Sequence, residues 1–138
     1  MRFIYVPTLR AVLALHNGDA RKAIELLQPA KPYDLAVPAS WFGYYGFMYP
    51  AYVRGESYLV AHQYAGAAAE FQRILDHRGL VFCDPVGAMA QLELGRTFRE
   101  SGDKAKAKLA YDKFLALWKD ADPDIPLLLQ AKAEYARL

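Results

Sequence analysis

Three histidines and one cysteine are the side chains of this sequence best suited to catalysis or metal binding. His16, His62 and His77 lie far apart, and none has a carboxylate or cysteine at a spacing such as that of His-Glu-x-x-His. We therefore interpret them as turn or surface residues. Cys83 stands among apolar residues without a local base, so we expect burial rather than nucleophilic use. These residues indicate a protein that is not an enzyme and that holds no metal or cofactor.

Charged residues three or four positions apart form a second candidate group, which comprises Glu93, Arg96, Arg99, Glu100 and Asp103. Charges at this spacing meet on one side of a helix, and the pattern is typical of a solvated face. We interpret the group in that way. Four lysines of the following stretch are expected on the polar exterior: Lys104, Lys106, Lys108 and Lys113.

Length and composition indicate one globular domain. The chain has 138 residues, of which 54% are hydrophobic, enough for a sizeable core. A formal charge of +2 gives no basic excess, so neither nucleic acid nor a membrane surface is expected as a partner. Residues 35–53 carry no charge, but two prolines, two glycines and four tyrosines make a poor lipid-facing helix. A single cysteine fits a reducing compartment, and we expect the cytoplasm.

Three stretches of the chain share the same offsets between two small residues and a residue that lies between them. In each, the second position follows the first by seven residues, and the third follows it by twelve. The three sets are Ala11, Gly18 and Ala23; Gly55, His62 and Ala67; and Gly95, Gly102 and Ala107. A large apolar residue follows each set, as Leu27, Phe71 and Tyr111. The offsets predict an internal repeat built from helix pairs that approach closely.

The third stretch carries a known signature. It contains Leu94-Gly95-Arg96-Thr97-Phe98, then Gly102, Ala107 and Tyr111, and resembles the tetratricopeptide repeat, lacking only its first tryptophan, where Gln91 stands. The resemblance implies an all-α fold, a right-handed solenoid of three helix pairs and a C-terminal capping helix. We place the repeats at about residues 4–30, 48–79 and 85–118, and the capping helix at about 123–138.

The two ends of the predicted array differ. The last helix has one apolar stripe and a polar outer side, as the end of a stacked array requires. At the other end Phe3, Ile4 and Val6 lead straight into the first repeat. This apolar edge implies either upstream repeats, with the chain as the C-terminal part of a longer protein, or cover by a partner, a second copy included.

Three segments are similar to one group of proteins: residues 52–59, 69–79 and 114–126. They resemble the C-terminal tetratricopeptide arrays of bacterial eukaryotic-like serine/threonine kinases and winged-helix regulators. The chain has no glycine-rich loop, no His-Arg-Asp and no Asp-Phe-Gly, so the resemblance implies a regulatory or scaffolding module without kinase activity.

The family resemblance also implies a groove, lined by the first helix of each repeat at the second, fifth, ninth and twelfth motif positions. The second and third repeats supply Tyr49, Tyr52, Glu56, Leu59, Met89, Leu92, Arg96 and Arg99. The first repeat supplies Tyr5, Thr8, Val12 and Leu15, which are mostly apolar. A groove of aromatic and arginine side chains suits an extended or helical peptide.

The sequence therefore predicts a non-catalytic module that binds a protein or peptide partner, with two alternatives. Seven aromatic residues fall within residues 41–52, and they either fill space between helix pairs or form a pocket for a small molecule. A purely structural module would instead assemble through its N-terminal edge.

Overall fold

The structure is a computed structural model that describes residues 3–36, 48–81 and 84–138. These residues form eight α-helices: α1 (Tyr5–His16), α2 (Ala20–Leu27), α3 (Tyr49–Val60), α4 (Tyr64–Asp76), α5 (Arg78–Val81), α6 (Val86–Glu100), α7 (Lys104–Leu117) and α8 (Pro126–Tyr135). A 3₁₀ turn, Gln28–Tyr33, follows α2, because Pro29 and Pro32 cannot continue an α-helical hydrogen-bond ladder.

Seven of these eight helices pack as three antiparallel pairs and a final helix, and the short α5 contacts α4 and α6. Helix α1 packs on α2, α3 on α4, and α6 on α7, while α2 also contacts α3 and α4 contacts α6. Each pair thus lies against the next, and α8 closes the array on α7. The all-α solenoid of three helix pairs with a C-terminal capping helix is therefore confirmed.

The three turns within the pairs share one backbone conformation. Gly18 and Gly102 have φ angles of 81° and 84°, and His62, at the equivalent position, has 56°. Two of these residues are glycine because a left-handed backbone disfavours a Cβ atom. Asp19 and Asp103 follow as N-caps and accept hydrogen bonds from the amides of Lys22 and Lys106 at 2.9 and 3.1 Å.

If Asp84 were the N-cap of α6, Pro85 would be its first helical residue, but the helix begins one residue later. It starts at Val86, and the Asp84 carboxylate accepts from the Val86 amide at 2.9 Å. The aspartate therefore still supplies an acceptor to the start of the helix, although Pro85 lies before it.

Small residues mark where the paired helices approach most closely. A Cβ atom on Gly55 would lie 2.7 Å from Cε1 of Phe71, and one on Gly95 would lie 3.0 Å from Cδ2 of Tyr111. Ala67 and Ala107 have no exposed surface. The shared offsets thus correspond to steric contacts between α3 and α4 and between α6 and α7.

The buried side chains form two apolar clusters. The larger one runs from α1 to α6 and includes Leu27, Phe71 and Ile74, and the smaller one joins α6 and α7 to α8 through Phe114 and Leu128. The stripe of α8 is thus part of the core.

The N-terminal edge is apolar and exposed. Phe3, Val6 and Leu9 expose 55, 40 and 66% of their surface, and Leu13 exposes 63%. Spacings of three and four residues place Val6, Leu9 and Leu13 on one side of α1. Residues 41–47, which hold five of the seven aromatic residues found within residues 41–52, lie outside the described residues, and so does Cys83.

Candidate binding surface

The eight predicted groove residues lie on α3 and α6, but they differ in depth. Tyr52 and Leu92 expose only 6 and 1% of their surface and belong to the core clusters. The remaining six are half-buried: Tyr49, Glu56, Leu59, Met89, Arg96 and Arg99. A partner on this side of the array would meet those six, with Tyr52 and Leu92 beneath them.

Arg96 is held by two carboxylates from different helices. Its Nη1 donates to Oε1 of Glu93 at 2.6 Å, one turn earlier on α6. Its Nε and Nη2 donate to the two carboxylate oxygens of Glu134 on α8, at 2.9 and 2.8 Å. Such a two-pronged arginine–carboxylate contact is strong and directional, so it fixes the capping helix against the third repeat.

Arg99 joins the same network from the next turn of α6. Its Nη1 lies 3.4 Å from Oε2 of Glu134 and 3.3 Å from the hydroxyl of Tyr111, while its Nε and Nη2 donate to Glu100. The Tyr111 hydroxyl in turn donates to Glu134 at 2.6 Å. Arg96 and Arg99 therefore converge on one carboxylate.

Glu134 is stabilised as an anion by this arrangement. Burial acts to raise the pKa of Glu134, but the hydrogen bonds from Arg96 and Tyr111 and the charges of both arginines together hold it below its ordinary value. Because a lowered pKa in the folded state favours folding at neutral pH, the Glu134 contacts stabilise the cap.

The interpretation of this charged group as a solvated face is wrong for Glu93 and Arg96, which are largely buried. Glu93 exposes only 8% of its surface, and burial raises the pKa of its carboxyl although Arg96 opposes the shift. The side chains of Glu93 and Arg96 expose 11 and 19%. The spacing is the same as on a solvated helix, but α8 covers this side of α6.

Glu56 extends the network onto α3. Burial and, secondly, the charge of Glu93 raise the pKa of Glu56 to about 7, while a hydrogen bond with Tyr52 and the charge of Arg96 act in the opposite direction. Burial, together with the charges of Glu56 and Glu93, raises the pKa of Tyr52. The second and third repeats are thus coupled electrostatically along this surface.

The formal charges of this surface are unequal. It carries four carboxyl groups, on Glu56, Glu93, Glu100 and Glu134, against the guanidinium groups of Arg96 and Arg99. Both arginines already have carboxylate partners within the chain. An anionic ligand would therefore find neither arginine of this surface without a carboxylate partner.

We expect Glu56→Gln to stabilise the protein at alkaline pH. Since the pKa of Glu56 is raised from 4.5 to about 7, the folded state retains a proton that the unfolded state loses. The free energy of unfolding therefore falls as the pH rises through that interval, and the penalty is complete above it. Glutamine removes this penalty, a gain of up to about 3 kcal/mol at about pH 8 and little at about pH 5.

Urea unfolding at the two pH values measures this difference. Glu25→Gln is the matched control, since the Glu25 side chain is 60% exposed and pairs with the exposed Lys22. An equal change for both variants at both pH values would contradict the assignment.

A second charged cluster lies inside the protein and had no counterpart among the predicted sites. Arg54 on α3 is fully buried, and its Nη2 contacts Oδ2 of Asp34 at 2.5 Å and Oε2 of Glu70 at 2.6 Å. Arg73 lies 3.3 Å from the same Asp34 oxygen. One signal was present in the sequence: Ala67, Glu70 and Ile74 have the spacing of a buried stripe, with a charge in the middle.

The remaining polar candidates are dispersed. His16 and His62 are exposed, and the Nδ1 atom of His77 lies 2.8 Å from the carbonyl oxygen of Arg73. Among the residues that the structure describes, no group of three or more His, Cys, Asp or Glu side chains is placed to hold a metal ion. None of the helices in this part of the chain combines the length and apolar character required to cross a bilayer.

The tetratricopeptide repeat family model matches residues 52–124, which is more than half of the chain. The match begins in α3 and ends after α7, so it covers the second and third helix pairs. No curated protein matches the chain.

Proposed function

Because the chain belongs to the tetratricopeptide repeat family, whose repeats generally mediate protein–protein interaction, we propose that it binds a peptide on the side of α3 and α6 that carries Glu56, Arg96 and Arg99. The module acts as a scaffold and performs no chemistry of its own. Its partner is an extended or helical segment of another protein.

The observation that carries this proposal is the continuous polar network across two repeats. The charge of Glu93 on α6 acts on Glu56 on α3. Arg96 forms ion pairs with both Glu93 and Glu134, and so joins α6 to α8. These side chains are held in place before any partner binds, which lowers the entropy cost of recognition. Half-buried Tyr49, Leu59 and Met89 supply apolar surface beside them.

The charge of the network indicates the kind of peptide. Glu134 supplies in the chain itself the carboxylate that Arg96 and Arg99 would otherwise seek in a partner. Glu56 has no such cation at hydrogen-bond distance among the described residues, since only Tyr52 bonds to it. A lysine or arginine side chain of the peptide pairs with Glu56, and apolar side chains of the peptide cover Leu59 and Met89.

Peptide selection on the full chain, from a random display library, tests the proposal. The selected peptides should carry lysine or arginine, and Glu56→Ala should weaken their binding by about 2 kcal/mol or more. Lys108→Ala, an exposed change on α7, should leave binding unchanged. Equal loss from both variants, or loss from neither, would contradict binding at this surface.

The exposed apolar edge of α1 favours a second candidate, assembly through Val6, Leu9 and Leu13. A second copy of the chain or a preceding repeat would cover this edge. If the selected peptides are lost from Leu9→Ser and retained by Glu56→Ala, the edge of α1 is the binding surface instead. The alternative of a small-molecule pocket depends on residues 41–47, which lie outside the described part of the chain.

The similarity of residues 52–59, 69–79 and 114–126 to the arrays of bacterial kinases and winged-helix regulators supports a cellular context. We place the module in a cytoplasmic signalling protein of a bacterium, as its regulatory part. Sequencing the reading frame around the chain tests this context, since a neighbouring kinase or DNA-binding domain is expected.

A further inference from the structure

A cleft of about 360 Å³ lies between α4 and α7, with α6 as its base. Its apolar lining comes from all three helices and consists of Leu75, Leu94, Phe98, Leu109 and Ala110. Leu109 on α7 exposes 56% of its surface. The cleft therefore offers apolar contact area that the described fold leaves uncovered.

This cleft is separate from the surface around Glu56, Arg96 and Arg99. On α6 it uses Leu94 and Phe98, which are four residues apart and share one side of the helix. Arg96 is two residues from each of them, so at about 100° per residue it lies about 160° from both around the helix axis. The two surfaces therefore meet different partners, or different segments of one partner.

The rim of the cleft is basic. Arg78, Lys106 and Lys113 line it, and no carboxylate does so in the described part of the chain. The Nζ atom of Lys106 pairs with Asp103 at 2.8 Å and lies 5.5 Å from the Phe98 ring centre. Arg78 and Lys113 are exposed, and neither has an ion-pair partner among the residues that the structure describes. Two positive charges thus stand unneutralised beside an apolar cleft.

The same surface continues beyond this cleft. A neighbouring cleft of about 430 Å³ shares Leu75 and Arg78 and runs along the end of α7 to Leu117 and Trp118. Leu117 exposes 56% of its surface. The combined surface follows α7, so it has the shape to receive one more helix or an extended segment.

We propose that the cleft between α4 and α7 binds an acidic amphipathic segment of a partner protein. Leucine or phenylalanine side chains of that segment contact Leu94, Phe98 and Leu109. Its carboxylates pair with Arg78 and Lys113 at the rim, where opposite charges determine which partner binds and how fast. The module then has two surfaces of different charge preference.

A fluorescently labelled synthetic peptide tests the proposal with the full chain. It is about 14 residues long, or four helical turns, with leucines at helical spacing and glutamates elsewhere. Fluorescence anisotropy should give a dissociation constant below about 1 mM. The double change Arg78→Glu and Lys113→Glu should raise this constant at least about tenfold. Leu109→Ser should weaken it about tenfold as well.

Three comparisons keep the result specific. Arg21→Glu reverses an exposed charge on α2, away from both clefts, and should leave the affinity within about twofold. A peptide with lysine in place of every glutamate should not bind to the cleft, and Arg99→Ala should leave the affinity for the acidic peptide unchanged. No binding of the acidic peptide, equal loss with Arg21→Glu, or loss with Arg99→Ala would overturn the proposal. Because Arg99→Ala reports on the other surface alone, failure here leaves the proposed function standing.

Discussion

Replacing Arg54 with methionine is expected to lower the free energy of unfolding by about 3–5 kcal/mol. Arg54 is fully buried, and its guanidinium contacts the carboxylates of Asp34 and Glu70, which expose 1 and 5% of their surface. Methionine fills much of the same volume but leaves two carboxyl groups buried without their main cation. Leaving a buried charge unpaired is more costly than losing an exposed ion pair.

Urea unfolding at neutral pH measures the loss. The matched control is Arg73→Met, since the Arg73 side chain contacts the same Asp34 but remains 34% exposed. Its loss should stay near about 1 kcal/mol, because solvent already screens that pair. A loss for Arg54→Met no larger than that for Arg73→Met would contradict the role assigned to the buried cluster.

The pH dependence of the free energy of unfolding of the Arg54→Met variant gives a second test of the buried cluster. Burial already raises the pKa of Asp34 despite Arg54, and removing the cation raises it further. A carboxyl with a raised pKa in the folded state destabilises the protein increasingly as the pH rises through that value. The deficit of the variant should therefore be smaller at about pH 5 than at about pH 8.

The local parts of the fold could be predicted from the sequence because they depend on neighbouring residues. The offsets from Gly55 to His62 and Ala67 indicated where the chain turns after α3 and where α4 approaches α3. A close approach of two helices requires small residues, and those recur at fixed offsets. The N-caps Asp19 and Asp103 are equally local features, because an N-cap acts within three residues of the start of its helix. Such features are visible without knowledge of the tertiary structure.

The charged contacts could not be predicted in this way because their partners are distant in the sequence. Arg54 meets Asp34 twenty residues away, and Arg96 meets Glu134 thirty-eight residues away. An arginine on a helix has the same local pattern whether its partner is water or a carboxylate on another helix. The helix side of the eight groove residues was assigned from the motif, but the burial of Tyr52 and Leu92 depends on packing between repeats.

Phe71→Ala is expected to cost about 3–5 kcal/mol of stability. Phe71 on α4 has no exposed surface, lies against Gly55 on α3, and packs edge-on against Tyr52 with ring centres 5.8 Å apart. Truncation leaves a cavity in the larger core cluster, between the two helices of the second repeat. Phe3→Ala, which removes a 55% exposed ring, should cost less than about 1 kcal/mol under the same urea unfolding conditions.

The contact with Gly55 makes a more specific prediction through a double-mutant cycle. Gly55→Ala gains about 1 kcal/mol of helix propensity, but its Cβ would lie 2.7 Å from the Phe71 ring, which has no room to retreat. We therefore expect a net loss in the parent chain and a gain in the Phe71→Ala or Phe71→Leu background, where the ring is absent. The coupling energy should reach about 1–3 kcal/mol. If Gly55→Ala changes stability equally in all backgrounds, steric contact with Phe71 is not the reason for a glycine at position 55.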